Sequence, residues 1–340
     1  MSSAAFYMGS QTVSYGPVTA RDPGPNEVQI AVSHCGVCGT DLHVFHGHMD
    51  HRVTFPQVIG HESSGIVHAV GSAVSQWKPG DRVTVRPLDH CGNCPACRAG
   101  HSHVCLNLKF IGIDSPGAMQ SLWTVPAHTL HRLPDALSFE LGALIEPLAV
   151  ACHDVRLGGV VPGEFAVVQG GGPIGMLVAL VARHAGATVL LSEVNPFRIA
   201  LARELGFQVA NPLELDLPKL VEQSTGGAGA DIVFEVAGAP AAAAMMTRLV
   251  RVRGRIVVVA VYPKPVEIDL FKVFWREMNI IGTRVYEYED FEKAIALAES
   301  GALPLERIIT RELPLDRLAD AFHEMEHGGE ALKILMRCAS

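Results

Sequence analysis

Phe165-Ala-Val-Val-Gln-Gly-Gly-Gly-Pro-Ile-Gly-Met-Leu-Val-Ala-Leu-Val-Ala-Arg-His184 is the stretch that decides the fold. Five residues suited to a buried strand, Phe165–Gln169, run into three glycines, and an apolar, Ala-rich helical stretch follows from Ile174 to His184. Gly170-x-Gly172-x-x-Gly175 therefore sits at a strand-to-helix junction, where each glycine has a physical task. Gly170 permits the tight turn, Gly172 lets the backbone approach a pyrophosphate, and Gly175 lets helix and strand pack closely. The helix that starts at Pro173 then offers unpaired N–H groups, from Ile174 onward, to phosphates. Glu193 closes the next strand, twenty-one residues beyond Gly172. A carboxylate there accepts hydrogen bonds from the adenosine ribose and repels a 2′-phosphate, which favours NAD over NADP. Arg198, just over one helical turn further on, is placed to stack on adenine or reach a phosphate, and is the one feature speaking for NADP.

Downstream, the same alternation continues. Thr188–Ser192 leads to Pro196–Leu205, Asp231–Val236 to Pro240–Val250, and Ile256–Val261 closes the run. Strands apolar throughout, each followed by a helix, indicate a parallel sheet covered on both faces. Upstream the texture differs: Glu27–Ser33, Ser64–Val70 and Arg82–Pro87 are short strands punctuated by Pro and Gly, with little helical period. Helices near Phe291–Glu299 and Asp316–Glu326 and a strand Ala331–Arg337 end the chain without extending the alternation. They either close the parallel sheet or return to the first region.

The 340 residues exceed one ordinary core, so two domains are expected. With 49% apolar and 18% charged residues and a net charge of −8, the chain lacks the clustered cations of a nucleic-acid or polybasic membrane binder. Met1–Gln11 carries no basic and apolar leader, and no run approaches eighteen apolar residues. The expected location is the cytoplasm, with no membrane and no nucleic-acid partner. There, thiols stay reduced, and clustered cysteines more often hold metal than disulfides.

Four of the eight cysteines form Cys91-x2-Cys94-x2-Cys97-x7-Cys105. Short loops let four thiolates converge on one Zn²⁺ with no open position, as in a structural site; an iron–sulfur cluster is the alternative use of such a set. A second group is dispersed: His34-x3-Cys38-x4-His43, then His61-Glu62, then Glu146. Each is weak alone. Together they offer a thiolate, an imidazole and one or two carboxylates, a set suited to a catalytic zinc that keeps a position for substrate.

Gly36-Val-Cys38-Gly-Thr40-Asp41-Leu-His43, Gly60-His61-Glu62, the four-cysteine loop, Pro79-Gly-Asp-Arg-Val83, Glu146-Pro-Leu and Gly170–Gly175 occur in one order. In that order and spacing the chain resembles the zinc-containing medium-chain alcohol dehydrogenases, nearest their polyol (sorbitol), threonine and butanediol branch. The resemblance implies an α/β protein: a GroES-like, β-rich catalytic domain over residues 1–148 and 286–340, with the zinc lobe at 91–105. A doubly wound, parallel-sheet Rossmann domain that binds NAD is then inserted over residues 149–285. It further implies two zinc ions per chain: a structural one on Cys91, Cys94, Cys97 and Cys105, and a catalytic one on Cys38 and His61, with Glu62 and Glu146 bound directly or through water. Thr40 matches the family's relay hydroxyl and His43 its terminal base, with the nicotinamide ribose between them. The cofactor residues are Gly170, Gly172, Pro173, Ile174, Gly175, Glu193 and Arg198. Cys35, which invites a Cys-x2-Cys reading with Cys38, is not used in the family pattern, and His46, His48, His51, His101 and His103 read as solvated loop residues.

The expected activity is hydride transfer between a secondary alcohol (a polyol, small diol or hydroxy-amino acid) and NAD, giving the ketone. By family position, His46–Gln57 and Phe110–Trp123 border the substrate entrance. Tyr286 stands where sorbitol-type enzymes carry an arginine, which argues against long sugar alcohols, while Phe110, Trp123 and Tyr286 serve either the substrate or packing. An NADP-dependent reductase on the same scaffold and a non-catalytic zinc protein are the competing readings; the first is opposed by Glu193, the second by the lack of a basic surface. The resemblance also implies a homotetramer or homodimer.

Overall fold

The computed structural model describes residues Ser2–Ala339 and divides the chain into two compact units. One comprises Met1–Glu146, Glu287–Gly301 and Leu305–Ser340; the other comprises Pro147–Tyr286 and Ala302–Pro304. Among the described residues no helix is long and apolar enough to cross a membrane.

The first unit is organised around one long strand, Glu27–Val37, whose alternating Val28, Ile30 and Val32 are buried. It pairs antiparallel with Glu62–Val70, with Leu122–Pro126 and with Lys333–Arg337. The C-terminal strand therefore returns to the first unit, and it carries the parallel strand Ile309–Pro314 on its far side. Beyond Glu62–Val70 lie Arg82–Val85 and then Leu130–Arg132. A hairpin of Ser3–Gly9 and Thr12–Pro17, with Gln57–Val58 alongside, forms a separate small sheet. Sequence pattern passes over this hairpin because Thr12–Pro17 is largely exposed and shows no apolar alternation. The helix expected over Asp316–Glu326 is broken into a 3₁₀ turn, Leu315–Arg317, a short α-helix, Leu318–His323, and a π turn, Glu324–Gly328, which ends at Gly329 with φ +65°.

The second unit is a six-stranded parallel sheet. Its order is Gln208–Ala210, Thr188–Ser192, Phe165–Gln169, Ala230–Glu235, Val250–Val258 and Asn279–Gly282. The chain winds outward in both directions from Phe165–Gln169, the doubly wound arrangement whose switch point lies at the C-terminal end of that strand. Val167, Leu190, Val233 and Ile256, one on each of the four central strands, are fully buried. The α/β class read from the sequence is what the structure shows. The two edge strands escape a sequence reading because they are short and half-exposed. Arg251, Arg253 and Gly254 hide the true start of Val250–Val258, which was expected only from Ile256.

Candidate functional site

In the first unit, Cys38 ends the central strand's run and caps the helix Gly39–Phe45: Thr40 N–H donates to its Sγ at 3.2 Å. Asp41 closes the box, its Oδ2 accepting from Cys38 N–H at 3.0 Å. His61 and Glu62 lie at the start of the neighbouring strand, and Glu146 is in the first turn of Ile145–Gly158. Pairing of Gly36 with Glu62 fixes the register that brings these segments together. A Cβ at Gly36 would stand 2.1 Å from Glu62 Oε2, so only glycine leaves room for that carboxylate.

Cys38 Sγ is 3.3 Å from His61 Nε2. A sulfur and a nitrogen on a tetrahedral zinc are about 3.6 Å apart from the bond lengths alone. One ligand atom each from His61, Glu62 and Glu146 lies within 4.8 Å of the others, and the same holds for Cys38, Asp41 and His61. All but Cys38 are buried to 5% exposure or less. Four acidic groups, Cys38, Asp41, Glu62 and Glu146, are thus gathered about His61 and one lysine, Lys333, whose Nζ reaches Glu62 Oε2 at 2.5 Å and Val37 O at 3.1 Å. The residues fit a divalent cation by chemistry, by spacing and by charge balance. Burial pushes the Cys38 thiol up and Asp41 adds to it, with His61 partly offsetting both. Burial pulls His61 down, yet Cys38, Asp41 and Glu146 outweigh it and hold the imidazole well above its usual value.

Phe110 sits edge-on over His61, centroids 5.0 Å apart at 82°, and shields it. Trp123, by contrast, is a core residue at 1% exposure whose Nε1 donates to Pro116 O, and Tyr286 is likewise fully buried in the second unit. Cys35 is buried with its thiol pushed well up by burial and by Cys338, and lies in none of these clusters. His43 meets His48, their Nδ1 atoms 3.3 Å apart. Asp41 and Lys333 belong to the site without having been singled out from sequence. Asp41, a helix-cap acid three residues after Cys38, and Lys333, a cation directly preceding the apolar run Ile334–Met336, were the available signals.

The four lobe cysteines converge. Sγ separations are 3.5 Å for Cys94–Cys97, 3.8 Å for Cys94–Cys105 and 3.5 Å for Cys91–Cys105, and none is disulfide-bonded. Sulfurs on one tetrahedral zinc are about 3.8 Å apart. That spacing suits a single ion rather than a cluster. Backbone N–H groups of Cys91 and Asn107 donate to Cys105 Sγ, and that of Leu106 to Cys94 Sγ. The Asn93 N–H and the Asn107 side chain hold the Cys91 thiol down to about 6. Burial and the neighbouring sulfurs push Cys97 up to about 12, so without a cation four adjacent thiolates do not form.

In the second unit, Gly172 caps Pro173–His184 with no side chain bonded to the first N–H groups. A Cβ at Gly172 would meet only Arg198 Nη1, at 3.8 Å, whereas one at Gly175 would lie 1.8 Å from Gly170 O. Space in front of Gly172 is therefore open to a phosphate, while Gly175 is required by packing. Glu193 is engaged by three backbone donors: Gly171 N–H on Oε2 at 2.8 Å, and Val194 and Asn195 N–H on Oε1 at 2.6 and 2.9 Å. Of about four acceptor positions on a carboxylate, roughly one remains for a ribose hydroxyl. Arg198 Nη1 lies 3.9 Å from Glu193 Oε2, and its buried Nε has no hydrogen-bond partner among the described residues.

A β-rich unit with a buried cluster of potential cation ligands and a four-cysteine lobe, joined to a doubly wound parallel sheet, is the arrangement of a metal-dependent dehydrogenase. Residues 24–135 match the alcohol dehydrogenase GroES-like domain family, and residues 173–300 match the zinc-binding dehydrogenase family. The chain is 49% identical to the 2-dehydro-3-deoxy-L-galactonate 5-dehydrogenase of Pseudoalteromonas atlantica over 98% of both chains. It is 36% identical to the L-threonine 3-dehydrogenase of Pyrococcus horikoshii, over 94% of this chain and 93% of the other. A zinc-binding dehydrogenase of Sinorhizobium meliloti, solved bound to NADP, superposes with a TM-score of 0.94 at 34% identity, covering 99% of both chains. The chain belongs to the zinc-binding alcohol dehydrogenase family, and is an oxidoreductase acting on CH–OH groups with a nicotinamide cofactor.

Proposed function

We propose that this chain oxidises a secondary hydroxyl of a small polyhydroxylated acid to the ketone, with NAD and two zinc ions. The observation that carries the reading is the contact of Cys38 Sγ with His61 Nε2 beside the paired carboxylates Glu62 and Glu146. The substrate class rests on the sugar-acid dehydrogenase that shares 49% of its residues with this chain.

Cys38, His61 and one of the two glutamates would hold a zinc ion, with Lys333 balancing Glu62. The chemistry a zinc supplies there is acidification of an alcohol hydroxyl and polarisation of a product carbonyl; a nicotinamide supplies the hydride acceptor. Phe110 keeps water from His61. Thr40 and His43 lie three residues apart on one helix face, two and five residues after Cys38 in the chain, and serve as hydroxyl and base for the departing proton. Cys91, Cys94, Cys97 and Cys105 would hold the second zinc as a structural tie. Gly170, Gly172, Pro173, Ile174 and Gly175 form the phosphate cradle. Glu193 orients the ribose and disfavours a 2′-phosphate, with Arg198 at the same rim.

Metal analysis tests this directly. About two zinc ions per chain are expected. Cys38→Ser and His61→Ala should each lose about a thousandfold in kcat/KM and one zinc while still binding NAD. Cys94→Ser should lose the other zinc and stability. The reading is overturned by a single zinc that disappears with Cys94→Ser while Cys38→Ser keeps full activity. NADH formation with 2-dehydro-3-deoxy-L-galactonate, L-threonine, sorbitol and 2,3-butanediol ranks the substrates.

A further inference from the structure

The helix that carries Thr40 and His43 ends in a tight turn through His46 and Gly47, the latter at φ +76°. The turn folds the chain back on the helix: His46 N–H donates to Leu42 O at 2.9 Å and His48 N–H to His43 O at 3.0 Å. This return sets the His43 and His48 rings against each other, centroids 5.5 Å and Nδ1 atoms 3.3 Å apart. Two imidazole nitrogens at that separation hold one proton between them, one ring donating and the other accepting. His46 is next, its ring 5.9 Å from that of His48, and its Nε2 pairs with Glu326 from the C-terminal π turn. His43 is half-buried and His48 exposed, so the rings lead outward to water.

We propose that His48 is a second relay imidazole, which takes the reaction's proton from His43 and delivers it to solvent. The proposal rests on the reading of His43 as the base. Oxidation of the alcohol passes a hydride to the nicotinamide and leaves one proton. His43 takes that proton on Nε2 and releases its Nδ1 proton to the Nδ1 lone pair of His48. His48, now carrying both ring protons, loses the one on Nε2 to water. Both rings are then in the opposite tautomer and reset by exchange with solvent.

Charge around the pair favours passage over storage. Burial lowers the His43 pKa first, and charge on His48 and on His46 lowers it further, which favours passing a proton onward over keeping it. Glu326 sits on the His46 side, drawing charge outward. Asp50, the other acid near the turn, is engaged by the Tyr7 hydroxyl at 3.0 Å.

The test is a single turnover of 2-dehydro-3-deoxy-L-galactonate and NAD in weak buffer near pH 7, following proton release with an indicator dye beside NADH absorbance. In the parent enzyme the two should rise together. In His48→Gln, proton release should lag by about tenfold and recover with added imidazole, with KM for the alcohol unchanged. His43→Gln, run in parallel, should lag as well. If His43→Gln lags and His48→Gln keeps pace, the second relay is overturned and the base reading stands; if His43→Gln keeps pace, the base reading itself falls. A lag in His48→Gln that imidazole does not restore assigns His48 a structural role and also overturns the proposal. An NMR titration of the cofactor-free protein gives an independent arm. Removing His48 should raise the His43 midpoint toward that of an isolated imidazole, and an unmoved midpoint would exclude the contact.

Discussion

Glu193 shows how much a single residue's role depends on what else it holds. Its carboxylate ties the Gly171 backbone to the end of the strand Thr188–Ser192 and, in the function proposed above, also presents negative charge to the cofactor ribose. Glu193→Ala should therefore reduce the preference for NAD over NADP, measured as the ratio of kcat/KM values, by about tenfold, equivalent to about 1.4 kcal/mol. NAD affinity should fall as well, because the Gly171 N–H loses its acceptor. An unchanged ratio would remove Glu193 from cofactor choice and leave it as a loop clamp. At this scale, spacing pointed to the four lobe cysteines and the family resemblance to Cys38 and His61, and the structure brings each set of side chains together. It was not legible for Asp41, Lys333 or His48. The contacts of Lys333 arise across strands far apart in the chain, and that of His48 from a turn whose return path spacing does not reveal.

At the scale of elements, the site depends on the central strand Glu27–Val37 and on what flanks it. Glu62–Val70 on one side places Glu62, and Lys333–Arg337 on the other places Lys333, 271 residues later in the chain, within reach of it. Both side chains are at most 2% exposed. Burial alone would lower the Lys333 pKa, but Glu62 and Cys38 outweigh it and the ammonium persists. Removing one partner of such a pair leaves a buried, uncompensated charge, which costs about 3–5 kcal/mol. Lys333→Met should lose that much in urea-unfolding free energy, and Lys333→Arg, which keeps the cation, clearly less. A loss below about 1 kcal/mol in Lys333→Met would mean that Glu62 is satisfied by other groups. The strand holding Lys333 was expected from sequence; its neighbours were not, since Ile334, Leu335 and Met336 suit either sheet equally well.

For the whole molecule, apolar strands alternating with helices made the parallel sheet legible, because a sheet buried on both faces needs such strands. Its outer limits were not legible: Gln208–Ala210 and Asn279–Gly282 are edge strands with few buried side chains. The stretch leading into the second of these edges leaves a run of apolar side chains uncovered. Just before it in the chain, the helix Leu270–Trp275 exposes Leu270, Phe271, Phe274 and Trp275 by 66, 69, 75 and 72%. Phe271 and Trp275 stack at 5.9 Å. Three aromatics exposed to that degree present about 400–500 Å² of surface, more than half of what one partner buries in a standard interface, about 800 Å². Beside them, Asn279–Gly282 has no strand on its outer side among the described residues. Such an edge invites pairing, and an antiparallel pairing with its own copy closes under two-fold symmetry and stops there. The expected assembly is accordingly a dimer through this edge, alone or within a tetramer. Sedimentation should give the parent protein at least twice the mass of one chain, while Phe274→Asp combined with Trp275→Asp should shift it to a smaller species with the zinc content intact. A parent protein that sediments as a single chain at micromolar concentration would sink the idea, as would a double variant whose mass does not change.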